Sequence, residues 1–573
     1  MRTVTLIALL LAACSREPEA TPDTTADAPV VEAPVEPVLV VSSPARMAFA
    51  PDGAASLVGS VVAGSSPLTQ LTLNGEAVPL GADGAFDTAL ALEPGINILS
   101  LRAEDEGSGR AVDGRAVYAG PLHDPGVSLP AAVRMQLGPE LLDDDDADLD
   151  DVAAIAELVM LEADLSTAFV GLPIDAGFAT ITPQSLSFDD VSVDIVPLDG
   201  ELAAAIVLHD VWMDFEAEDN YIGLNVDGSA WLDSMTLSLS LAAEGSDIAA
   251  TDAQASLEGY GLEVDWVPGW LEDDLAGWTQ ETLETEIAAT AQDTVAELVG
   301  EYIGAFAIEA EILDGVELSV SLAEVASDAD GLRLELDASV SVLGTSLPTD
   351  AGSAATDGAA PAWPASASPF WVAADDDLVN QIMFAMWGAG ALSGFSYSGA
   401  ELTALSGAEI VPPLGPVSDV SLGIEMPPSL HPPTADDMSI DLRLGEWTMV
   451  FTREDGEVLS FSVNARTGAQ VSFTDDDEIA FAMDNRPANM AIAVGVTSHP
   501  DSLDPGDLAA LIKLMVPPLF GNASSFLPSL ALPPLDLGLV SPSLEGVALA
   551  PADLSLSLTD ETWLVLDGRL LPQ

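Results

Sequence analysis

The 573-residue chain carries 94 acidic and 14 basic side chains, a formal net charge of −80 at pH 7, and Lys513 is its sole lysine. Such a field repels polyanions, and binding to phosphate backbones needs clustered Lys or Arg that this chain lacks, so nucleic acid is excluded as a partner. Yet 49% of the residues are hydrophobic and mean hydropathy is +0.34, which excludes a disordered acidic polymer and implies folded domains, about three for this length. The acidity is read equally as a mark of saline habitat or genome composition and as a functional feature.

Met1–Arg2, an apolar run from Val4 to Leu11 and the small residues Ala12–Ala13 precede Cys14, the single cysteine. A charged start, a short apolar core and small residues form an export signal, and the run is shorter than the roughly 20 apolar residues of a bilayer span. Leu11-Ala12-Ala13-Cys14 resembles the lipobox of bacterial lipoproteins. That resemblance implies a signal peptide over 1–13, cleavage before Cys14 and acylation of Cys14; the alternative is an ordinary signal peptide with an incidental cysteine. Ser15 follows the cysteine, which in such lipoproteins implies sorting to the outer membrane, on its periplasmic or surface face. Residues 14–37 are rich in Pro, Ala, Thr and acid without an apolar period, and are expected to form a disordered, extended tether. No intramolecular disulfide can form with one cysteine.

Residues 38–120 read as a small β-sandwich of short strands, with Asn74-Gly75 and Asp83-Gly84 as tight turns. The stretch from Leu71 to Gly109, with Asn74-Gly75, Gly84-x-Phe86, Pro94-Gly95-x-Asn97 and Ala103-x-Asp105, resembles bacterial immunoglobulin-like domains. In residues 121–345 an acid run, Asp143 to Asp151, leads into Val152, Ile155, Leu158 and Val159 at helical spacing. A strand-rich stretch from Ile181 to Leu257 follows. From Trp270, apolar residues at Leu271, Leu275, Trp278, Leu283, Ile287, Ala291, Val295, Leu298, Tyr302 and Phe306 recur mostly at intervals of three or four. That spacing predicts one helix of about 35 residues, about 50 Å long. Two strands, VELSVSLAEV and LRLELDASVSV, close this half.

Residues 346–368 form a linker of small residues and proline. Residues 369–573 then restart the pattern. Asp375-Asp376-Asp377 opens a helix carrying Leu378, Val379, Ile382, Met383, Met386 and Leu392; strands follow; Asp504-Pro505 opens a second helix; strands end the chain. Both halves run helix, sheet, long helix, strands, the order of a diverged tandem duplication.

This order resembles the tubular lipid-binding (TULIP) superfamily, and most the bactericidal/permeability-increasing-like lipid-transfer family. The residues that carry the likeness are Asp377-Leu378-Val379-Asn380-Gln381-Ile382-Met383-Phe384-Ala385-Met386-Trp387-Gly388 and the proline-punctuated stretch from Leu527 to Leu558. The resemblance implies an α+β fold: two TULIP-like halves with long helices wrapped by curved antiparallel sheet, preceded by the immunoglobulin-like sandwich. It implies elongated apolar slots for acyl chains. Trp270, Leu271, Trp278, Ile287, Ile382, Met383 and Met386 are the candidates to line them, because Met and Trp make deformable apolar walls; each is read alternatively as ordinary core. The chain departs from the family in its single cysteine, where mammalian relatives hold their N-terminal half with a disulfide. Its acidity departs from the cationic tip of lipopolysaccharide-binding members, so neutral, zwitterionic or other apolar ligands fit better than lipid A phosphates.

Asp146, Asp148, Asp150 and Glu157 have calcium-loop spacing, but Asp151 stands where such a loop needs Gly, and a solvated helix N-terminus accounts for the acids. His123, His209, His431 and His499 are scattered without a partner nucleophile, and no G-x-S-x-G, H-E-x-x-H or glycine-rich phosphate loop occurs. No enzyme activity, cofactor or metal is therefore expected, and a monomer is. The leading expectation is a membrane-anchored lipoprotein that binds lipid or another apolar small molecule, with transfer left open beside binding. The alternative is a structural or adhesive surface lipoprotein whose halves are filled solid.

Overall fold

The structure, a computed structural model, describes residues 36–572 apart from 147–148, 163–172, 176–178, 220–224, 266–275, 278, 290–291, 293–307, 345–346, 349–350, 357, 365–368, 402–413, 415, 434–437, 474–477, 488, 500–502, 524–529, 532–534, 537–547 and 560–562. Cys14, Trp270, Leu271 and Trp278 lie outside the described residues.

The first unit pairs two small sheets over one core. Val38–Ser43, Ala54–Val62 and Ala85–Ala91 make one; Ala48–Ala50, Arg110–Ala119, Gly95–Asp105, Leu68–Leu73 and Glu76–Ala77 make the other. Leu57 and Phe86 from the first meet Leu71, Leu101 and Val117 from the second, each at most 3% exposed. Asn74 and Gly75 both have positive φ (51° and 88°), the pair of left-handed residues that a tight hairpin reversal requires.

An eight-stranded sheet joins the two sides of the 346–368 stretch. Its order is Ile308–Leu313, Val316–Asp328, Gly331–Val342, Leu129–Leu137, Phe370–Ala374, Leu564–Pro572, Ala548–Leu558, Leu535–Asp536. The hinge pair within it is Leu129–Leu137 against Phe370–Ala374, with Met135 opposite Val372. The connecting stretch is pinned rather than loose where it is described. Ser353–Ala354 pairs with Leu122–His123, and Trp363 packs on Trp371 with the Arg134 guanidinium 4.5 Å from its ring centre.

On one side lies a sheet built on a long hairpin, Glu201–Asp219 against Asn225–Glu244, flanked by Ala179–Ser187, Asp190–Leu198, Asp247–Glu258 and Gly261–Val264. On the other lies a sheet built on Ile440–Arg453 against Val458–Phe473, flanked by Val417–Ile424, Ser429–His431 and Ala491–Ser498. Its core is densely filled: Phe451 and Phe461 meet edge to face at 5.6 Å, and helix Pro505–Ala523 sets Leu508, Ile512, Val516 and Leu519 into it at intervals of four, four and three.

These observations correct the expected fold class. The chain is mostly β, not an α+β arrangement of long helices wrapped by sheet. Described helices run Pro139–Leu142, Val152–Glu162, Asp376–Gly388 and Pro505–Ala523, while strands reach 20 residues at Asn225–Glu244. Of the long helix expected from Trp270 to Phe306, the described helical stretch is 279–289, with further helical residues at 276–277 and 292. The physical reason is the alternation of Ser, Thr and acid with Leu, Val and Ile, which commits long runs to period 2. Curvature comes from bulges rather than from wrapping a helix. Ala131, Asp252, Glu446 and Asp553 have φ of 49°, 53°, 47° and 51°, and each sits at a register shift. An extra left-handed residue on one strand bends it and tightens the local twist.

The helix starts follow the sequence. Asp375 is an N-cap whose carboxylate accepts from Asp377 N. Asp151 takes the same part for Val152–Glu162, accepting from Ala154 N at 2.6 Å and Asp144 N at 3.1 Å; burial raises its carboxyl above the usual range.

Candidate apolar slot

Period 2 along the long hairpin sends Val211 and Met213 from one strand, and Ala230 and Leu232 from the other, to the inner face of the sheet. Leu257 and Tyr260 extend that surface from the neighbouring strand and its following turn. The 279–289 helix lies across it, and Leu283 and Ile287, one turn apart, close the gap between. Tyr260 supplies the only polar side chain in this lining.

Hydrogen bonds fix the helix at one edge. Gln280 Nε2 donates to Leu257 O at 2.8 Å, and Leu257 N donates to Glu284 Oε1 at 3.1 Å. The Tyr260 and Thr279 hydroxyls share a hydrogen bond of 3.1 Å, and burial pushes the Tyr260 phenol up. Away from that edge Leu283 and Ile287 meet the sheet through apolar contacts, which are non-directional, so lifting the helix costs chiefly its hydrogen bonds at Gln280, Glu284 and Thr279. The space is narrow, a cavity of about 40 Å³. Several waters would fit by volume, but an apolar wall offers them no partners.

The expected lining residues do not converge on one place. Ile287 is in the slot. Ile382 packs with Leu129, Val340 and Leu378 against the eight-stranded sheet. Met383, the next residue, packs against the Phe451–Phe461 core on the other side, and Met386 is half-buried on the same helix. Helix Asp376–Gly388 is thus a strut between two sheets. The residues that sequence reasoning missed are Met213, Met235, Leu257 and Tyr260; strict alternation puts Met213 on the inner face but Met235 with Trp231 on the outer one, and the left-handed Asp210 marks where that period breaks.

A polar latch sits at the start of that strut. His123 and Asp377 are 2.8 Å apart, Thr356 N donates to Asp377 Oδ1 at 2.7 Å, and Thr356 Oγ1 donates to Asp376 Oδ1 at 2.8 Å. Burial raises the Asp375 and Asp377 carboxyls. The Asp144, Asp146 and Asp150 carboxylates come within 4.8 Å of one another, at the surface.

No family model and no curated protein matches the sequence. Among solved structures the chain is similar to lipopolysaccharide binding protein, at 15% identity and a TM-score of 0.39, over 79% of this chain and 99% of that one. It is also similar to P47 of Clostridium botulinum E1, at 9% identity and a TM-score of 0.27, over 77% and 98%. A third is P47 from Clostridium botulinum A2, at 11% identity and a TM-score of 0.28, over 76% and 97%. At such scores the likeness carries no argument about function.

Proposed function

We propose that this chain is a non-enzymatic binder of lipid or another apolar small molecule, held at the outer membrane of a bacterial envelope by an acylated Cys14. The observation that carries the reading is the slot between the 279–289 helix and the inner face of the long hairpin, apolar on every wall except for one phenol. Each buried CH₂ of a ligand contributes about 0.8 kcal/mol, so a single acyl chain would bind without any cationic contact. Because the closed slot is narrow, entry requires Leu283 and Ile287 to withdraw as the helix lifts from its polar edge at Gln280 and Glu284. The tether over 14–37 would let the body reach from its anchor, which suits transfer as well as binding.

The test is native mass spectrometry of the full chain carrying Cys14→Ser, together with uptake of a fluorescent fatty acid. Co-purified lipid or saturable uptake supports the reading. A consistently empty protein that takes up no probe sinks it.

A second reading is favoured by the opposite half. There Phe451, Phe461, Leu459, Val463 and Ile512 are all 0% exposed, packed in one apolar cluster. If both halves are solid, the chain is a structural or adhesive surface protein. Cross-linking on intact cells should then find a partner on residues 36–120, and the fatty acid should not bind.

A further inference from the structure

The outer face of the slot's own sheet carries a second feature, independent of the slot. Trp212 and Trp231 are register partners on the long hairpin, with ring centroids 5.9 Å apart and planes 17° from parallel. Their neighbours Val211, Met213, Ala230 and Leu232 point into the slot, so the two indoles point away from it, 44% and 38% exposed. An isolated exposed tryptophan is unremarkable, but this pair is held in place. Trp212 Nε1 donates to Asp214 Oδ1 at 3.1 Å, and Asp214 Oδ2 accepts from Ser185 Oγ at 2.9 Å. Trp231 lies flat across Gly261, where a Cβ would come within 2.1 Å of the indole Cε2.

Acids border the pair. Asp214 and Glu216 follow Trp212 on the same face of its strand, and Glu216 stands directly opposite Asp227. Glu263 lies across from Ser229, two residues from both Trp231 and Gly261. Like charges facing one another across strands are destabilising unless a cation relieves them. The protein supplies none from this part of the chain: between Arg134 and Arg333 the sequence contains no lysine or arginine.

Exposed indole faces inside a ring of carboxylates complement an organic cation. Both Asp214 oxygens already accept hydrogen bonds, so this carboxylate contributes charge more readily than a fresh acceptor. A primary ammonium needs three acceptors and keeps its water. A quaternary ammonium has no N–H to satisfy. The platform is open and flat, unlike the concave sites that enclose free small molecules. A surface that repeats the cation many times would gain by multivalency what a single contact lacks. We propose that Trp212 and Trp231 form a docking platform for the quaternary ammonium headgroups of a zwitterionic lipid surface.

The test measures binding of the full chain, carrying Cys14→Ser so that no acyl chain forms, to phosphatidylcholine vesicles and to phosphatidylethanolamine-rich vesicles. Expected are preference for phosphatidylcholine and competition by tetramethylammonium chloride but not by sodium chloride of equal ionic strength. Trp212→Ala or Trp231→Ala should each weaken binding about three- to fivefold, and the double variant should abolish it. Gly261→Val, which lifts Trp231 without touching it chemically, should act like Trp231→Ala; it guards against a tryptophan variant that fails to fold. Fatty-acid uptake by the slot should be unchanged in all of them, so failure of the platform and failure of the slot are separable. Equal binding to both vesicle types, insensitivity to the tryptophan variants, or binding to soluble tetramethylammonium with none to phosphatidylcholine vesicles would each overturn the proposal.

Discussion

Asn380 and Gln381 are adjacent on one helix and bond in opposite directions. Asn380 Oδ1 accepts from Leu430 N at 2.9 Å, on the sheet of the C-terminal half. Gln381 Oε1 accepts from Val340 N at 2.7 Å, and its Nε2 donates to Val127 O at 2.8 Å, on the side of the eight-stranded sheet. The two side chains are 0% and 1% exposed. Helix Asp376–Gly388 is therefore a polar rivet as well as an apolar strut.

Replacing Gln381 by Leu leaves the buried Val340 N without its partner, at about 1–3 kcal/mol, and also loses the bond to Val127 O, whereas Asn380 already holds a buried Nδ2 with no partner that Leu would remove. Asn380→Leu orphans one, Leu430 N. Chemical denaturation should show Gln381→Leu as the more destabilising of the two, although both changes add apolar surface to a buried helix. Equal effects would mean that the helix shifts to re-pair its neighbours.

The first β unit is docked through a buried carboxylate. Glu446, 3% exposed, accepts from Ala116 N at 2.9 Å, Arg46 Nη1 at 3.0 Å and Ser462 Oγ at 2.5 Å. Arg46 also pairs with Asp113. Arg46→Ala leaves that buried charge without its cation and should lower stability by about 3 kcal/mol. Arg46→Ala combined with Glu446→Gln should recover part of the loss in a double-mutant cycle. Limited proteolysis should cut residues 36–120 faster in the single variant than in the double.

Glu36 marks where the first described residues meet helix Pro505–Ala523. A carboxyl–carboxyl hydrogen bond with Asp504, then burial, then the charges of Asp504, Asp507 and Asp105 push Glu36 up to about 7. Asp504 moves the other way: against its burial, the Glu36 carboxyl and the Asp507 and Gly506 backbone amides donate to it, and His499 stands nearby. In the folded state Glu36 thus binds its proton more tightly than in the unfolded chain. Its contribution is complete below the ordinary carboxylate range and is lost as pH rises through about 7. Asp504 contributes in the opposite sense, losing stability only in acid. Hydrogen exchange at Leu508 N, which donates to Asp504 O at 3.0 Å, should accelerate from pH 6 to pH 8 beyond the intrinsic base catalysis. Glu36→Gln should flatten that excess.

What was legible in the sequence was local. Asp375 and Asp504 announce their helices because a cap needs only its own neighbours, and Asn74–Gly75 announces a reversal because φ > 0 suits those residues. The strand-rich run from Ile181 to Leu257 announces its strands because partial alternation is likewise local. What was not legible was set by long-range pairing. Nothing in the composition shows that Glu446 or Asp553 bends a sheet. The strut residues Ile382 and Met383 read as slot lining because a helix between two sheets is apolar on both faces; their partners, Val340 and Phe451, lie far from them in sequence.

Leu283 and Ile287 give the slot a test that separates plug from wall. Leu283 is 3% exposed, and Leu283→Ala should cost about 2–5 kcal/mol because the surroundings close only partly around the lost methyls. The same change enlarges the slot. A ligand that binds only the folded chain then restores stability, by about 2.7 kcal/mol at a hundredfold excess over its Kd. The Leu283→Ala chain should therefore melt lower than the native chain when empty and show the larger rise in Tm with a saturating fatty acid. Ile287→Trp fills the space from the same helix face and should reduce uptake without the stability loss of a cavity. A Leu283→Ala chain whose Tm ignores the fatty acid would show that the space beneath this helix is packing alone.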